Sequence, residues 1–344
     1  MEKILILLNS DENGICKAGL ETISVGRLIK DNLNDNADIV VGLIGNNVKA
    51  AANKIGGCGA SAYFGVEGEE FAQGRYSTDA LAIEMLTRKT QPTIVIAPAT
   101  VRFNKSVPGA IYRVNGITDT HITGVTARDG TLKVTRYLYR QRIETTIHRT
   151  NRPWALLIES GICEPFSGSE ANVQVELLDI KVPETEIHSQ VIGVREPAVG
   201  QQTIRPDARL LFVVGAGWTK KQADGKVHLE EAEKIILEFL HLTRASLGSS
   251  KSLVDMGAEG EEVLPFLSHM NQIGQTGATP RHPKGLATCC HGEEPHTVGW
   301  RFINERRAIN LDPNCGWARG KADVLYVADA FAVMKKVNEL LAAK

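Results

Sequence analysis

Apolar runs and amphipathic stretches alternate along the first half of the chain. The predicted elements there are, in chain order, strand 3–8, helix 20–33, strand 38–44, helix 47–55, strand 61–65, helix 77–88 and strand 92–98. The strands are apolar at almost every position, which is typical of strands covered on both faces. Such strands separated by helices predict a parallel sheet with helices on both sides.

The pattern changes after about residue 120. Residues 131–138, 144–148 and 173–178 alternate between polar and apolar positions. Alternation of this kind is typical of strands with one exposed face, so these segments predict an antiparallel extension of the sheet.

A connector separates the two halves. Residues 179–207 contain three prolines and show no sustained periodicity, which is typical of a loop between domains. We therefore predict two domains, residues 1–195 and residues 196–344.

The second half repeats the α/β alternation. Its predicted elements are strand 208–214, helix 229–247, strand 252–254, strand 285–287, strand 307–311, strand 324–327 and helix 331–341. The fold class predicted for the whole chain is α/β, with two Rossmann-like doubly wound domains in sequence.

Composition and charge narrow the class of protein. Hydrophobic residues make up 43% and charged residues 23% of the 344, and the net charge is −1. That balance gives no support to nucleic-acid binding, which needs a basic face. The apolar run at residues 4–8 is far too short to span a membrane or to form a signal peptide. We expect a cytoplasmic protein without a membrane span.

A glycine-rich turn follows the first strand of the second domain. Gly215-Ala216-Gly217 brings backbone amides to a place where phosphates bind in dinucleotide folds. The third glycine of that motif is Lys220 here, and no clear acidic ribose ligand follows. A nicotinamide dehydrogenase is therefore a weak alternative, and a simple strand-to-helix turn explains the segment as well.

Five further segments of the second half carry small polar or reactive side chains. They are GSSKS (248–252), QIGQTG (272–277), ATCCHGEEPH (287–296), and the pair AINLDPN (308–314) with KADVLYVAD (321–329). Each alone is explained by turn chemistry. The adjacent Cys289 and Cys290 are poorly spaced for a zinc site, so a metal protein is also a weak alternative, and we predict no metal.

In this order, however, the segments resemble the C-terminal domain of electron transfer flavoprotein α subunits. That family has a serine–arginine pair before Val-Asp-x-Gly, then Gln-Val-Gly-Gln-Thr-Gly, Gly-Ile-Ser-Gly-Ala-Ile-Gln-His, Ala-Ile-Asn-x-Asp, and Ala-Asp before the last helix. The matching residues here are 250–251, 254–257, 272–277, 289–296, 308–312 and 322–323. The resemblance covers residues 208–344, and the first half matches only in general pattern.

The resemblance implies an FAD-binding C-terminal domain in a chain that pairs with a β subunit, which contacts the N-terminal, nucleotide-hydrolase-like domain. Family members accept electrons from a dehydrogenase and pass them to another redox partner. On this basis Ser250 and Gly292 are expected near the FAD pyrophosphate. Asn310 and Asp323 are expected to hold the adenosine end, with Asp312 in the same motif as Asn310.

The flavin ring would have its own set of contacts. Thr276, supported by Gln275 and Gly277, is expected to donate a hydrogen bond toward flavin N5. Lys251 stands where the family has an arginine over the ring, and His296 matches a histidine near the C2 carbonyl. A cation and a donor at that end of the ring would raise the flavin's reduction potential.

Several positions depart from the family pattern. Lys251 replaces an arginine, Pro295 a glutamine, and Trp218 the arginine of a Gly-Arg-Gly turn. His291 replaces a serine and is expected to act as a phosphate donor in its place. A divergent subunit that has lost FAD, serving as a scaffold or AMP-type nucleotide binder, remains the main alternative.

Overall fold

The structure of the chain is a computed structural model. It describes residues 2–33, 37–128, 130–139, 143–187, 189–193, 204–205, 208–255, 263–273, 279–288, 303–313 and 322–343. The chain forms two compact units, Met1–Val194 and Arg195–Lys344.

The apolar runs of the first half become the buried strands of one sheet. Its nine strands are Glu2–Ser10 (β1), Ala37–Gly45 (β2), Ala62–Glu67 (β3), Ile94–Pro98 (β4), Ile117–Arg128 (β5), Thr131–Leu138 (β6), Ile143–Ile147 (β7), Trp154–Ile158 (β8) and Val175–Leu177 (β9). The strand order is β7-β6-β5-β8-β4-β1-β2-β3-β9. The segment β3-β2-β1-β4-β8 is parallel and has the 3-2-1-4-5 order of a Rossmann-like sheet.

Alternate residues of each central strand enter two separate cores. In β1, Ile4, Ile6 and Leu8 pack into one core, and Leu5 and Leu7 pack into the other. All five are fully buried. Because side chains alternate across a strand, a strand between two helical layers must be apolar at every position.

Helices cover both faces of this sheet. They are Lys17–Asn32 (α1), Val48–Lys54 (α2), Glu69–Ala72 (α3), Tyr76–Thr90 (α4) and Val101–Arg113 (α5). Helices α1 and α2 contribute to the first core, and α3, α4 and α5 to the second.

The antiparallel extension is confirmed for two of its three predicted strands. Strands β5, β6 and β7 pair antiparallel at one edge of the sheet. The third predicted strand was misplaced: β9 pairs parallel with β3 at the opposite edge.

The C-terminal unit is a smaller parallel sheet. Its strands are Leu210–Val214 (β10), Ser246–Ser249 (β11), His282–Thr288 (β12), Ile303–Asn310 (β13) and Val324–Val327 (β14), and its helices are Leu229–Thr243 (α6), Lys251–Asp255 (α7) and Ala330–Ala342 (α8). The order β11-β10-β12-β13-β14 is parallel throughout. In chain order this is 2-1-3-4-5, so the topological switch point lies between β10 and β12.

One local prediction in this unit was wrong. The sequence predicted helix at 229–247 and a strand at 252–254, whereas α6 ends at Thr243 and the strand is β11. Arg244 adopts a left-handed conformation with φ of 52° and ends the helix. Residues 251–255 then form α7, so the strand ends within the GSSKS segment, at Ser249, instead of following it.

Candidate functional site

The carboxyl ends of the five C-terminal strands meet at one edge of the sheet. Backbone hydrogen bonds join neighbouring ends there. The Ser250 amide donates to the Val214 carbonyl at 3.0 Å, and the Gly215 amide donates to the Thr288 carbonyl at 2.9 Å. In open α/β sheets this edge is where ligands bind, above all beside the switch point. We call it the carboxyl edge.

Two buried serines lie at the carboxyl end of β11, one as its last residue and one directly after it. Ser249 is fully buried, and Ser250 is 2% exposed. The Ser250 hydroxyl accepts a hydrogen bond from the Leu253 amide at 3.3 Å. The Ser249 hydroxyl has no hydrogen-bond partner within the part of the chain that the structure describes. A buried polar atom without a partner is costly, so this hydroxyl is suited to a ligand group.

The structure brings the start of the QIGQTG segment next to these serines. Ser249 forms a parallel bridge with Gln272, and the Ile273 amide donates to the Ser249 carbonyl at 3.1 Å. The glycine before the serines has a packing role, because a β-carbon on Gly248 would lie 2.8 Å from the Ile273 side chain. Two segments that the sequence analysis grouped by order alone are therefore neighbours in space.

Lys251 opens helix α7 beside the serines. Its ammonium lies 3.6 Å from the Asp255 carboxylate, and the lysine side chain is 53% exposed. Ion pairs as exposed as this one contribute little to stability. The ammonium can therefore leave Asp255 for an anionic or electron-rich group at the edge.

Asn310 ends β13 at the same edge. It is 2% exposed, and its side-chain oxygen accepts a hydrogen bond from the Asp312 amide at 3.2 Å. The Ala328 amide, which follows β14, donates to the Asn310 carbonyl at 3.1 Å. The structure thus places Ser250, Lys251 and Asn310 on one edge, with Asp312 just beyond Asn310.

Asp323 lies at the opposite end of β14. Its carboxylate accepts hydrogen bonds from the Arg306 amide at 2.6 Å and from the Arg306 guanidinium at 3.2 Å. These bonds, the one from the amide foremost, hold the pKa of Asp323 below its usual range. Four strand residues at about 3.3 Å each put it roughly 13 Å from the carboxyl edge. The structure does not bring Asp323 together with Asn310.

A second Ala-Asp pair lies next to the last helix. Ala328-Asp329 comes directly before α8, at the carboxyl end of β14. The Asp329 carboxylate accepts from the amides of Phe331 at 3.3 Å and Ala332 at 3.1 Å and caps the helix. The Ala-Asp dipeptide occurs twice, six residues apart. The two copies differ in that only Ala328-Asp329 is adjacent to the last helix.

The glycine-rich turn after β10 is filled by protein groups. Trp218 is fully buried, and its indole Nε1 donates to the Thr288 hydroxyl at 2.9 Å. The Gln222 side-chain amide donates to the Gly217 carbonyl at 3.0 Å. The Gly215 amide, which the dinucleotide motif would turn toward a phosphate, is bonded to the Thr288 carbonyl, so the structure gives the nicotinamide interpretation no support.

The remaining predicted site residues lie outside the described residues. They are Gln275, Thr276, Gly277, His291, Gly292 and His296. Cys289 and Cys290 lie outside them too. Among the residues that are described, no cluster of three or more His, Cys, Asp or Glu side chains is arranged to hold a metal ion. Within those residues, no helix has the length and apolar character needed to cross a bilayer.

Comparison with known families decides the identity. Residues 4–185, more than half of the chain, match the family model described as the electron transfer flavoprotein domain. This chain belongs to the electron transfer flavoprotein family. The match falls on the N-terminal unit, where the sequence alone had shown only a general pattern.

Curated relatives extend the similarity to almost the full length. A protein named FixB from Clostridium saccharobutylicum is 22% identical over 343 residues, which cover 98% of this chain and 93% of that protein. The electron transfer flavoprotein subunit alpha of Clostridium acetobutylicum is 25% identical over 333 residues, covering 94% and 90%. The subunit of the same name from Thermoanaerobacterium thermosaccharolyticum is 22% identical over 350 residues, covering 98% and 97%. The electron transfer flavoprotein similarity therefore includes both units.

Proposed function

We propose that this chain is the FAD-binding α subunit of a heterodimeric electron transfer flavoprotein. In this proposal it pairs with a β subunit in the cytoplasm, accepts electrons from a dehydrogenase and passes them to a downstream redox partner. Membership of the family supports the electron-transfer role. Two of the relatives are named as alpha subunits, which supports the assignment to that subunit.

The observation that carries the FAD proposal is the Ser249 hydroxyl, buried and without a partner among the described residues. It lies beside Ser250 at the edge where phosphates and nucleotides bind in this kind of sheet. Neutral hydroxyl donors and backbone amides fit a pyrophosphate. The described residues of the carboxyl edge therefore fit the phosphate part of FAD.

The other described residues of the edge fit the two ends of the cofactor. FAD, when bound, supplies the redox chemistry, because its ring takes up and releases electrons one or two at a time. Lys251 would place a positive charge toward the ring and favour its reduced, more negative state. The Asn310 side chain would donate or accept hydrogen bonds at the adenosine end, and the Asp329 carboxylate would accept them. This gives Asp329 the role expected of Asp323.

The first experiment is to co-express the chain with its β-type partner and to record the absorbance of the purified complex. Flavin absorbance, together with about one FAD released per heterodimer, would support the proposal. A colourless complex that also fails to take up added FAD would contradict it and favour the scaffold alternative.

A pair of serine variants on β11 tests the site itself. In Ser249→Ala we expect FAD affinity to fall roughly two- to tenfold, since one hydrogen bond is lost. The stability of the FAD-free protein should stay level or rise, because an unpaired buried hydroxyl is removed.

Ser246→Ala is the matched control at the amino end of the same strand. The Ser246 hydroxyl is also fully buried, but it accepts a hydrogen bond from the Arg205 amide at 2.7 Å. This variant should lose stability and keep its FAD affinity. Equal FAD affinity in Ser249→Ala and the wild type would count against a phosphate contact at Ser249.

A second pair of variants tests which of the two Ala-Asp pairs contacts FAD. Asp329→Ser keeps a residue that caps helices as well as aspartate does, while it removes the carboxylate. We expect its FAD affinity to fall about tenfold, as a charge-assisted bond is lost. Asp323→Ser should leave FAD affinity unchanged, because the Asp323 carboxylate is bound to Arg306 away from the edge. The reverse pattern would restore Asp323 to the adenosine site.

A further inference from the structure

Trp218 joins two parts of the C-terminal unit that meet at the carboxyl edge. It occupies the position of the arginine in the Gly-Arg-Gly turn of electron transfer flavoprotein α subunits, yet its indole is fully buried. Its ring lies 4.5 Å from the Phe331 ring at an angle of 48°. Its Nε1 donates to the Thr288 hydroxyl at 2.9 Å.

The Thr288 hydroxyl passes this bond on to the neighbouring strand. It donates to the Val213 carbonyl at 3.1 Å while it accepts from Trp218. A threonine hydroxyl has one donor, so both partners together fix its orientation. Thr288 is the last residue of β12, and Val213 belongs to β10. The indole thus holds the two strand ends that flank the switch point.

The contact between the Trp218 and Phe331 rings connects the indole to helix α8. Phe331 lies in the first turn of α8, and its amide donates to the Asp329 carboxylate at 3.3 Å. Movement of the indole would therefore move the start of α8 together with its capping carboxylate. Close-packed interiors transmit such shifts because they contain few voids.

We propose that Trp218 is a positioning residue for the nucleotide half of the cofactor. It sets the end of β12 and the start of α8 at the spacing that the FAD pyrophosphate and adenosine need. The inference rests on the proposed function and goes beyond it. At the position where the family has an arginine, it places a buried aromatic side chain that acts on the site without touching the cofactor.

The test uses the full chain in its heterodimer and measures three quantities. They are the FAD dissociation constant of the FAD-free complex, the visible circular dichroism of bound FAD, and the urea midpoint without FAD. Trp218→Phe keeps an aromatic ring, smaller than the indole, and loses the N–H donor. Thr288→Val keeps the side-chain shape and loses the hydroxyl. Thr288→Ser keeps the hydroxyl and loses the methyl group. We expect about tenfold weaker FAD binding and a changed dichroism in the first two variants, and near wild-type values in the third.

Trp154→Phe is the matched control in the N-terminal unit. Trp154 is also fully buried, and its Nε1 donates to the Asp119 carboxylate at 2.8 Å. It should lower the urea midpoint and leave the FAD dissociation constant and the dichroism unchanged. If Trp218→Phe behaves in the same way, or if Thr288→Val binds FAD as tightly as Thr288→Ser does, the positioning role is overturned. A wild-type complex that takes up no FAD overturns the proposed function as well.

Discussion

Asp119 offers the sharpest quantitative prediction from the N-terminal unit. It lies in β5, is 1% exposed, and accepts hydrogen bonds from three side chains. Arg149 donates at 2.5 and 2.9 Å, Arg136 at 2.8 Å, and the Trp154 indole at 2.8 Å. These donors come from β6, from the segment after β7, and from β8. One carboxylate therefore ties the antiparallel extension to the parallel sheet.

Asp119→Asn should destabilise the unit by about 3–5 kcal/mol at pH 7. That is the usual effect of removing one partner of a buried ion pair, because the remaining charges lose their compensation. Burial alone would raise the pKa of Asp119, but the hydrogen bonds from Arg149 and Trp154 and the guanidinium charges hold it below its usual range. The carboxylate therefore stabilises the fold above the unfolded pKa of about 3.9, and this contribution is lost as pH falls through the lower folded pKa.

Hydrogen exchange of the β5–β8 amides in the full chain, measured between pH 7 and pH 3 under denaturant, gives the local free energy of opening.

The control is Asp79→Asn. Asp79 is fully buried and paired with Arg102 at 2.7 Å, but burial raises its pKa in spite of that partner. A raised carboxyl pKa means that stability decreases as pH rises from the unfolded pKa through the folded one. The effect of Asp79→Asn should therefore be smaller at pH 7 than in acid, opposite to Asp119→Asn. A pH-independent effect of Asp119→Asn below 1 kcal/mol would refute the assignment.

Three further predictions concern single positions. The hydrogen bond to Glu159 at 2.8 Å raises the pKa of His121, so the stability that this pair adds is present below the ordinary histidine value of about 6.5 and is lost as pH rises through the folded pKa. His121→Asn, which tolerates the left-handed φ of 58°, should be less stable than the wild type at pH 6 and equal to it at pH 9 in urea titrations. Gly45→Ala should destabilise the fold by at least about 1–3 kcal/mol, because φ is 139° and the new β-carbon would overlap the carbonyl oxygen that ends β1; an unchanged urea midpoint would contradict this. Lys251→Ala should lower the reduction potential of the bound flavin, and Lys284→Ala, an equally exposed lysine 3.8 Å from Glu305, should not; redox titration of both complexes checks it.

The predictable part of the fold is the part in which burial alone determines the sequence. The central residues of β1 (4–8) and β2 (39–44) are all apolar or glycine because both faces are covered, and this is visible without a structure. β5 was missed because its sequence is polar and a bulge between Asp119 and Ile122 breaks the alternation. α5 was missed because Pro108 lies within it, although Thr100 caps its start.

β11 was predicted at the wrong residues because its local sequence is not that of a strand. Its sequence Ser-Leu-Gly-Ser has little intrinsic strand preference, yet all four residues are buried between β10 and the segment around Ile273. Packing against distant parts of the chain determines this strand, which is why the local pattern predicted a strand at 252–254 instead. The same dependence on context applies to the two Ala-Asp pairs: the sequence alone favoured Asp323 and the structure leads us to propose Asp329, because a dipeptide does not state which strand end it occupies.

The two units carry different parts of the functional argument. The family match falls on the N-terminal unit, whereas every described residue proposed to hold FAD belongs to the C-terminal unit. Family membership would therefore hold even for a chain that had lost its cofactor. A retained FAD site is favoured by the free-energy cost of one unpaired polar group at the carboxyl edge. The Ser249 hydroxyl is buried with no partner among the described residues, at a cost of about 1–3 kcal/mol, and alanine would remove that cost without loss of packing. A ligand that accepts a hydrogen bond at this position would recover that free energy, and a scaffold without a ligand would have no use for the hydroxyl.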